Sequence, residues 1–176
     1  MSKMRNIHDV ARYLGISLLL KGLPVSPLKL QKILYYTQSW YMVFFGRENS
    51  LFKENPQAWV NGPVYPAIYQ EYKQKNADMR AHLQAKDFGC TEDNLNIEAQ
   101  KLANKMDLTN DDMDCIDSIL THYGAKYQNE LVLLTHVESP WADARKGLLP
   151  FEYSQEDISL DVMYNYYKER HDRANA

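Results

Sequence analysis

Few side chains in this sequence could do chemistry, and they are poorly grouped. His136 and Glu138, two positions apart, are the minimum for a metal-dependent hydrolase: a ligand or base beside a carboxylate. His122 is 14 positions from His136, and neither has a ligand-type residue one helical turn away on a clear shared face. A buried, hydrogen-bonded histidine is therefore the expected state of each. Cys90 and Cys115 form no C-x-x-C pattern, and Cys115 sits between Met113 and Ile116 with no cation nearby to activate its thiol. Asn110, Asp112 and Asp114 have the first spacings of a calcium loop, but Cys115 stands where the loop needs glycine and Thr121 where it needs the closing glutamate. An acidic helix start accounts for them better, because negative charge is favoured at a helix N-terminus. The seven glycines are dispersed, so no phosphate-cradling loop or nucleophile elbow arises. No catalytic residue, metal site or cofactor is assigned.

Nucleic-acid chemistry is the other class to test. Residues 1–50 carry seven basic residues (Lys3, Arg5, Arg12, Lys21, Lys29, Lys32, Arg47) against Asp9 and Glu48, whereas the remainder carries 13 basic and 21 acidic residues. The N-terminal part is thus the one anion-facing surface the composition offers. Within it Asp9-Val-Ala-Arg-Tyr-Leu-Gly-Ile-Ser17 has the look of a first helix and turn, which makes residues 5–21 the candidate for a DNA-binding autoregulator. Leu18-Leu-Leu20 follows where a polar recognition helix should start, and the basic residues are spread singly. Nucleic acid is therefore not the expected partner.

The elements that must position these residues are helical. Ile7, Val10, Leu14 and Leu18 repeat at helical spacing until Gly22 and Pro24. Ser26 then caps a long helix with Pro27 in its first turn, running to Gly46 and apolar on most sides, as a central helix is. Ala58-Trp-Val60 reads as extended, Asn61-Gly-Pro63 as a turn and Pro66 as a helix start. Residues 74–105 are polar and insertion-like, predicted as a mobile loop followed by a helix over 94–105. Thr109 and Asp112 form a capping-box variant opening a helix that Gly124 ends. Further helices are expected around 131–134, from a Ser139-Pro140 cap, and over 159–170, with 171–176 as a frayed tail. The sum is an all-α fold: a single globular domain over 1–176, with six to seven helices around a central long one and at most one short strand pair. A chain of 176 residues can bury a sufficient core without a metal or disulfide staple. Without a secretory-type leader or a long apolar run, it is expected to be cytoplasmic, with reduced cysteines and no membrane association.

Three aromatic blocks stand out against this frame. Leu28-Lys-Leu-Gln-Lys-Ile-Leu-Tyr-Tyr-Thr-Gln-Ser-Trp-Tyr41 contains Lys29, Leu30, Gln31, Lys32, Tyr35, Tyr36 and Trp40. The second runs from Trp59 through Gly62, Pro63, Val64 and Pro66 to Tyr69 and Tyr72, and the third, Leu134-Thr-His-Val-Glu-Ser-Pro-Trp141, contains Thr135 and Pro140. Large rigid rings beside helix starts and proline corners supply contact area at little entropic cost. Trp59, Tyr65, Tyr69, His136 and Trp141 are accordingly the candidate partner-binding residues, expected to form or support the partner surface, whereas Tyr36 and Trp40 are expected in the core.

In order and spacing, over roughly residues 7–145, these blocks resemble the Panacea antitoxin family, which includes SocA-like and phage-associated GepA-like proteins. The resemblance implies a bacterial or prophage antitoxin of a type II-like toxin–antitoxin system, without catalysis, whose partner is a cognate protein toxin. In one branch it further implies delivery of that toxin to an AAA+ protease.

Overall fold

The computed structural model describes residues 4–176, so Lys3 lies outside the described residues. Its organising element is α2, Pro27–Phe45. The Ser26 hydroxyl accepts the Lys29 N–H at 3.1 Å, and Pro27 occupies the first turn, where a missing N–H costs no helical bond. Of its residues only Trp40, Phe44 and Phe45 are not fully buried. α1 (Ile7–Leu20), α3 (Pro66–Lys75), α5 (Asn110–Gly124), α6 (Gln128–Val137) and α8 (Leu160–Ala174) all pack on it; α4 (Leu95–Lys105) lies on α1, and α7 (Ser139–Ala144) joins α6 to α8. The fold is mainly α, as predicted. None of the described helices is long and apolar enough to cross a membrane.

Among the described residues one sheet forms, a hairpin of β1 (Gln57–Trp59) with β2 (Gly62–Val64), in antiparallel register Gln57↔Val64, Ala58↔Pro63, Trp59↔Gly62. Residues 156–158 close its outer edge, since Ala58 donates to the Glu156 carbonyl at 2.8 Å and Ile158 to that of Pro56 at 2.8 Å. An edge so covered is closed to further strands.

Several expectations change. The helix-and-turn reading of residues 5–21 fails, because α1 runs unbroken through Gly15. That glycine makes room: a Cβ there would lie 2.3 Å from the Phe88 ring. Among the described residues, the basic side chains of this region are already engaged or buried. Arg5 pairs with Asp112 at 3.1 Å, Arg12 with Glu98 at 3.3 Å, Lys21 with Asp117 at 2.5 Å and Arg47 with Asp161 at 2.5 Å, while Lys29 and Lys32 are buried. The polar stretch 76–94 is anchored rather than loose. Leu28 donates to the Met79 carbonyl and Leu83 to that of Val25, and Leu83, Ala85 and Phe88 are buried. Sparse apolar residues suffice when each meets a prepared gap, which composition averages hide. At the C-terminus α8 continues to Ala174, because His171 packs edge-on against Phe44 and Trp40.

The acidic start of α5 is the predicted capping box. The Asp112 carboxylate accepts the Thr109 N–H at 2.9 Å and the Tyr41 hydroxyl at 2.7 Å, beside its Arg5 ion pair. Burial pushes its pKa up, but these donors outweigh burial and hold it below the usual carboxylate value. Its oxygens are engaged as a cap, not presented as a calcium loop.

Candidate functional site

The polar residues of the first block hold backbone from other elements. Lys29 Nζ donates to the Gly124 carbonyl at 2.6 Å, at the negative end of α5. The Gln31 amide grips Tyr65 from both sides, accepting its N–H at 2.8 Å and donating to its carbonyl at 3.2 Å. Lys32 Nζ donates to the Pro63 carbonyl at 3.0 Å. Two turns on, Gln38 treats Leu51 and Phe52 the same way, at 2.8 and 2.6 Å. Irregular backbone brought into a core must find partners, and α2 supplies them from its side chains.

All three blocks meet behind the hairpin. Gly62 has φ +103°, and the space a side chain would need there is filled by Lys32 Cε and Thr135 Oγ1, 2.7 and 2.8 Å from an ideal Cβ. Thr135 is held by its hydroxyl donating to the Val132 carbonyl at 2.8 Å. His136 stacks on Trp141 with ring centroids 3.9 Å apart and planes 7° from parallel. Burial and the Lys32 charge lower its pKa, with the Val60 backbone partly offsetting them, so the ring is neutral at pH 7. The Trp141 indole N–H donates to the Trp59 carbonyl at 2.7 Å, and Arg145, 5.3 Å over the same indole, donates to the Ala58 carbonyl at 3.0 Å. The hairpin is thus pinned from behind by α2, α6 and α7.

In front of it lies a groove of about 280 Å³. Trp59 and Tyr69 form one wall, edge to face at 4.9 Å, with Leu28 and Val64 also lining it and Arg80 and Tyr153 at its margin. Trp59 and Tyr69 are half-buried, each with surface open to solvent. Among the residues expected to form or support a partner surface, these two line the groove, His136 is half-buried behind the hairpin, Trp141 has a supporting place and Tyr65 is interior. Trp141 is 9% exposed and supports Trp59 from beneath. Tyr65 is 1% exposed, because it caps α3 with its backbone clamped by Gln31 and its ring turned onto Phe52. It has no face for a partner. Pro140 starts α7 as expected, yet the cap residue is Glu138 rather than Ser139.

Glu138 explains why His136 and Glu138 make no joint site. Its carboxylate turns away into α2 and α8, where Tyr36 donates to Oε1 at 2.5 Å, Tyr167 to Oε1 at 2.9 Å and Arg170 to Oε2 at 2.6 Å. Among the described residues no His, Cys, Asp and Glu group has a metal-ligand arrangement. Burial pushes the Cys115 thiol up to about 12, which makes it a poor nucleophile at neutral pH. Arg80, Tyr153, Arg145 and Arg170 were not singled out by sequence reasoning. The first two lie in segments without periodicity, and the others read as ordinary surface charges.

A protein-family comparison bears on the same residues. The model of the SocA-like antitoxins with a Panacea domain matches residues 30–142, more than half of the chain and all three blocks nearly whole. The chain belongs to this family. No curated protein and no solved structure shows a match. In this Panacea chain the matched region holds the hairpin, its supports Lys32, Thr135 and Trp141, and the aromatic wall of the groove, whereas Arg145 lies just beyond it. The last helix, α8, lies beyond it and completes the Glu138 cluster.

The Panacea core carries one sharp titration signature. Lys32 is fully buried, and burial, with Arg80 adding to it, lowers its pKa from 10.5 to about 7. Between those values the unfolded chain binds the proton that the folded chain releases. Stability from this group is therefore present above 10.5 and is lost as pH falls toward 7. We expect wild-type stability to climb across that window with a slope approaching roughly 1.4 kcal/mol per pH unit relative to Lys32→Met. Chemical denaturation of both proteins over that range checks it. Parallel curves remove the assignment.

Proposed function

We propose that this protein is the antitoxin of a two-gene pair and neutralises a cognate protein toxin by direct binding, with no bond made or broken. The observation that carries this reading is the family match across residues 30–142. The geometry agrees in kind. The groove presents Trp59 from a hairpin pinned from behind and Tyr69 from α3 against it, so the aromatic wall is pre-organised and little ordering entropy opposes docking. Lys29, Gln31, Lys32, Gln38 and Thr135 are taken up in holding backbone, whereas Thr37 Oγ1 and the Tyr65 hydroxyl are buried without a hydrogen-bond partner. The free thiols of Cys90 and Cys115 suit a reducing cytoplasm.

The test is the adjacent reading frame. Its expression alone should arrest growth, and co-expression of this chain should restore it. Trp59→Ala should weaken toxin binding by about 2 kcal/mol, the scale of an interface hot spot, with the variant still folded by circular dichroism. A neighbouring frame that is harmless, or whose toxicity this chain leaves untouched, overturns the proposal.

A further inference from the structure

Most cations on the described surface sit on a carboxylate of the same molecule, as Arg12, Lys105 and Arg170 do. Around the groove this self-neutralisation stops. Lys32, fully buried beneath Gly62, has the Pro63 carbonyl as its acceptor. Arg145, buried behind the hairpin, donates to the Ala58, Leu149 and Glu152 carbonyls. Arg80, exposed at the margin, donates to the Asn129 amide oxygen at 2.5 Å. None of the three has a carboxylate within ion-pairing distance among the described residues. The first turn of α2, whose Leu28 and Gln31 line the groove, holds no acidic residue either, so the positive end of that helix adds to the same field. The rest of the lining is apolar or neutral, including Val64, Met79, Asn61 and Ser154, and no carboxylate contributes.

On a chain of net charge −3, this is an apolar slot with a positive margin and the buried Arg145 charge behind it, to which Lys32 adds only in part near neutral pH. Acidic partners are repelled by most of such a surface and drawn to this part of it. We infer that the groove takes an acidic stretch of polypeptide: an apolar or aromatic side chain docks against Trp59 and Tyr69, and a nearby Asp or Glu carboxylate pairs with Arg80 above Lys32. That the stretch belongs to a toxin rests on the proposed function; the charge and shape of the occupant do not. A polypeptide fits better than nucleic acid, whose binding draws on several phosphate contacts, because the exposed cations here are few: Arg80 at the margin and Lys73 beside the Tyr69 ring.

The full-length protein, immobilised, is used to select from a random peptide library displayed on phage, and the best peptide is then measured by fluorescence anisotropy. The expected peptides carry Asp or Glu within a few positions of a large apolar residue. Their affinity should fall about tenfold or more in Arg80→Glu, a change of roughly 1.4 kcal/mol per tenfold, survive largely in Arg80→Lys, and fall in Trp59→Ala. Arg80 is exposed, so Arg80→Glu should melt with the wild type, which separates lost binding from lost folding. Failure to enrich any peptide, neutral or basic winners, binding indifferent to Arg80 and Trp59, or a single-stranded oligonucleotide bound with the same Arg80 dependence each overturn the inference. Neutralisation of the neighbouring toxin undiminished in Arg80→Glu and Trp59→Ala would defeat the groove and spare the antitoxin reading. Acidic peptides bound at the groove beside a harmless neighbouring frame would do the reverse.

Discussion

Replacing Glu138 with leucine should destabilise the protein by about 3 kcal/mol and lower its melting temperature by roughly 10 °C. The carboxylate is 2% exposed and lies between α2 and α8. Tyr167 has one hydroxyl proton; it donates to Glu138 and takes the Tyr35 hydroxyl, 3.1 Å away, as its own donor. Tyr36, stacked on Tyr123 with centroids 4.1 Å apart, donates to the same oxygen. Leucine strands two buried hydroxyls, each costing about 1–3 kcal/mol without an acceptor. Arg170, 54% exposed in its side chain, regains water and adds little.

A double-mutant cycle isolates the cause. Tyr36→Phe should cost about 1 kcal/mol in the wild type and almost nothing beside Glu138→Leu, because the acceptor is already gone. Equal costs in both backgrounds would show that lost packing, not the stranded hydroxyl, sets the effect. Burial raises the Glu138 pKa despite its donors, so the charged form is disfavoured by its surroundings. Glu138→Gln, which keeps an acceptor and drops the charge, should therefore be the milder substitution.

How legible the molecule was in its sequence depends on which physical signal each part relies on. The central helix announced itself, because Ser26-Pro27 is a local start signal and an all-round apolar surface has one stable destination. The capping box at Thr109 and Asp112 is equally local, and it outcompeted the calcium-loop spacing for the same carboxylate. What escaped was tertiary. Lys29, Gln31, Lys32 and Gln38 are polar, and polarity alone points outward; their burial follows from backbone in other segments that needs partners. One signal did exist: polar residues on a helix apolar all round have no solvated face to occupy. Tyr65 was placed at the surface because it stands at a proline corner, yet the corner itself is drawn inward by Gln31. The groove was half legible. Trp59 and Tyr69 came from their block, whereas Arg80 and Tyr153 arrive from segments whose docking depends on the Phe88–Gly15 fit and the Arg145 clamp.

Gly62→Ala should be the most damaging single-methyl change in the family-matched region, at about 3 kcal/mol. Two costs act together. At φ +103° a residue with a Cβ is strained by roughly 1–2 kcal/mol. The new methyl would also lie 2.7 Å from Lys32 Cε and 2.8 Å from Thr135 Oγ1, and overpacking of that kind costs about 1–3 kcal/mol. A lysine end normally swings aside, but Lys32 is enclosed and its Nζ is held on Pro63, the next residue of the same strand. The hairpin must move instead. Because Trp59 pairs with Gly62 in register, its movement reaches the aromatic wall directly, so binding at the groove should weaken even where the variant stays folded. Denaturant midpoints of Gly62→Ala and of Gly62→Ala with Lys32→Ala separate the two costs. Truncating the lysine clears part of the collision and leaves the backbone strain, so the added penalty of the alanine should fall by about half in that background. A Gly62→Ala protein as stable as the wild type would mean that the hairpin is not seated on Lys32 and Thr135, and the convergence of the three aromatic blocks behind it would lose its physical basis.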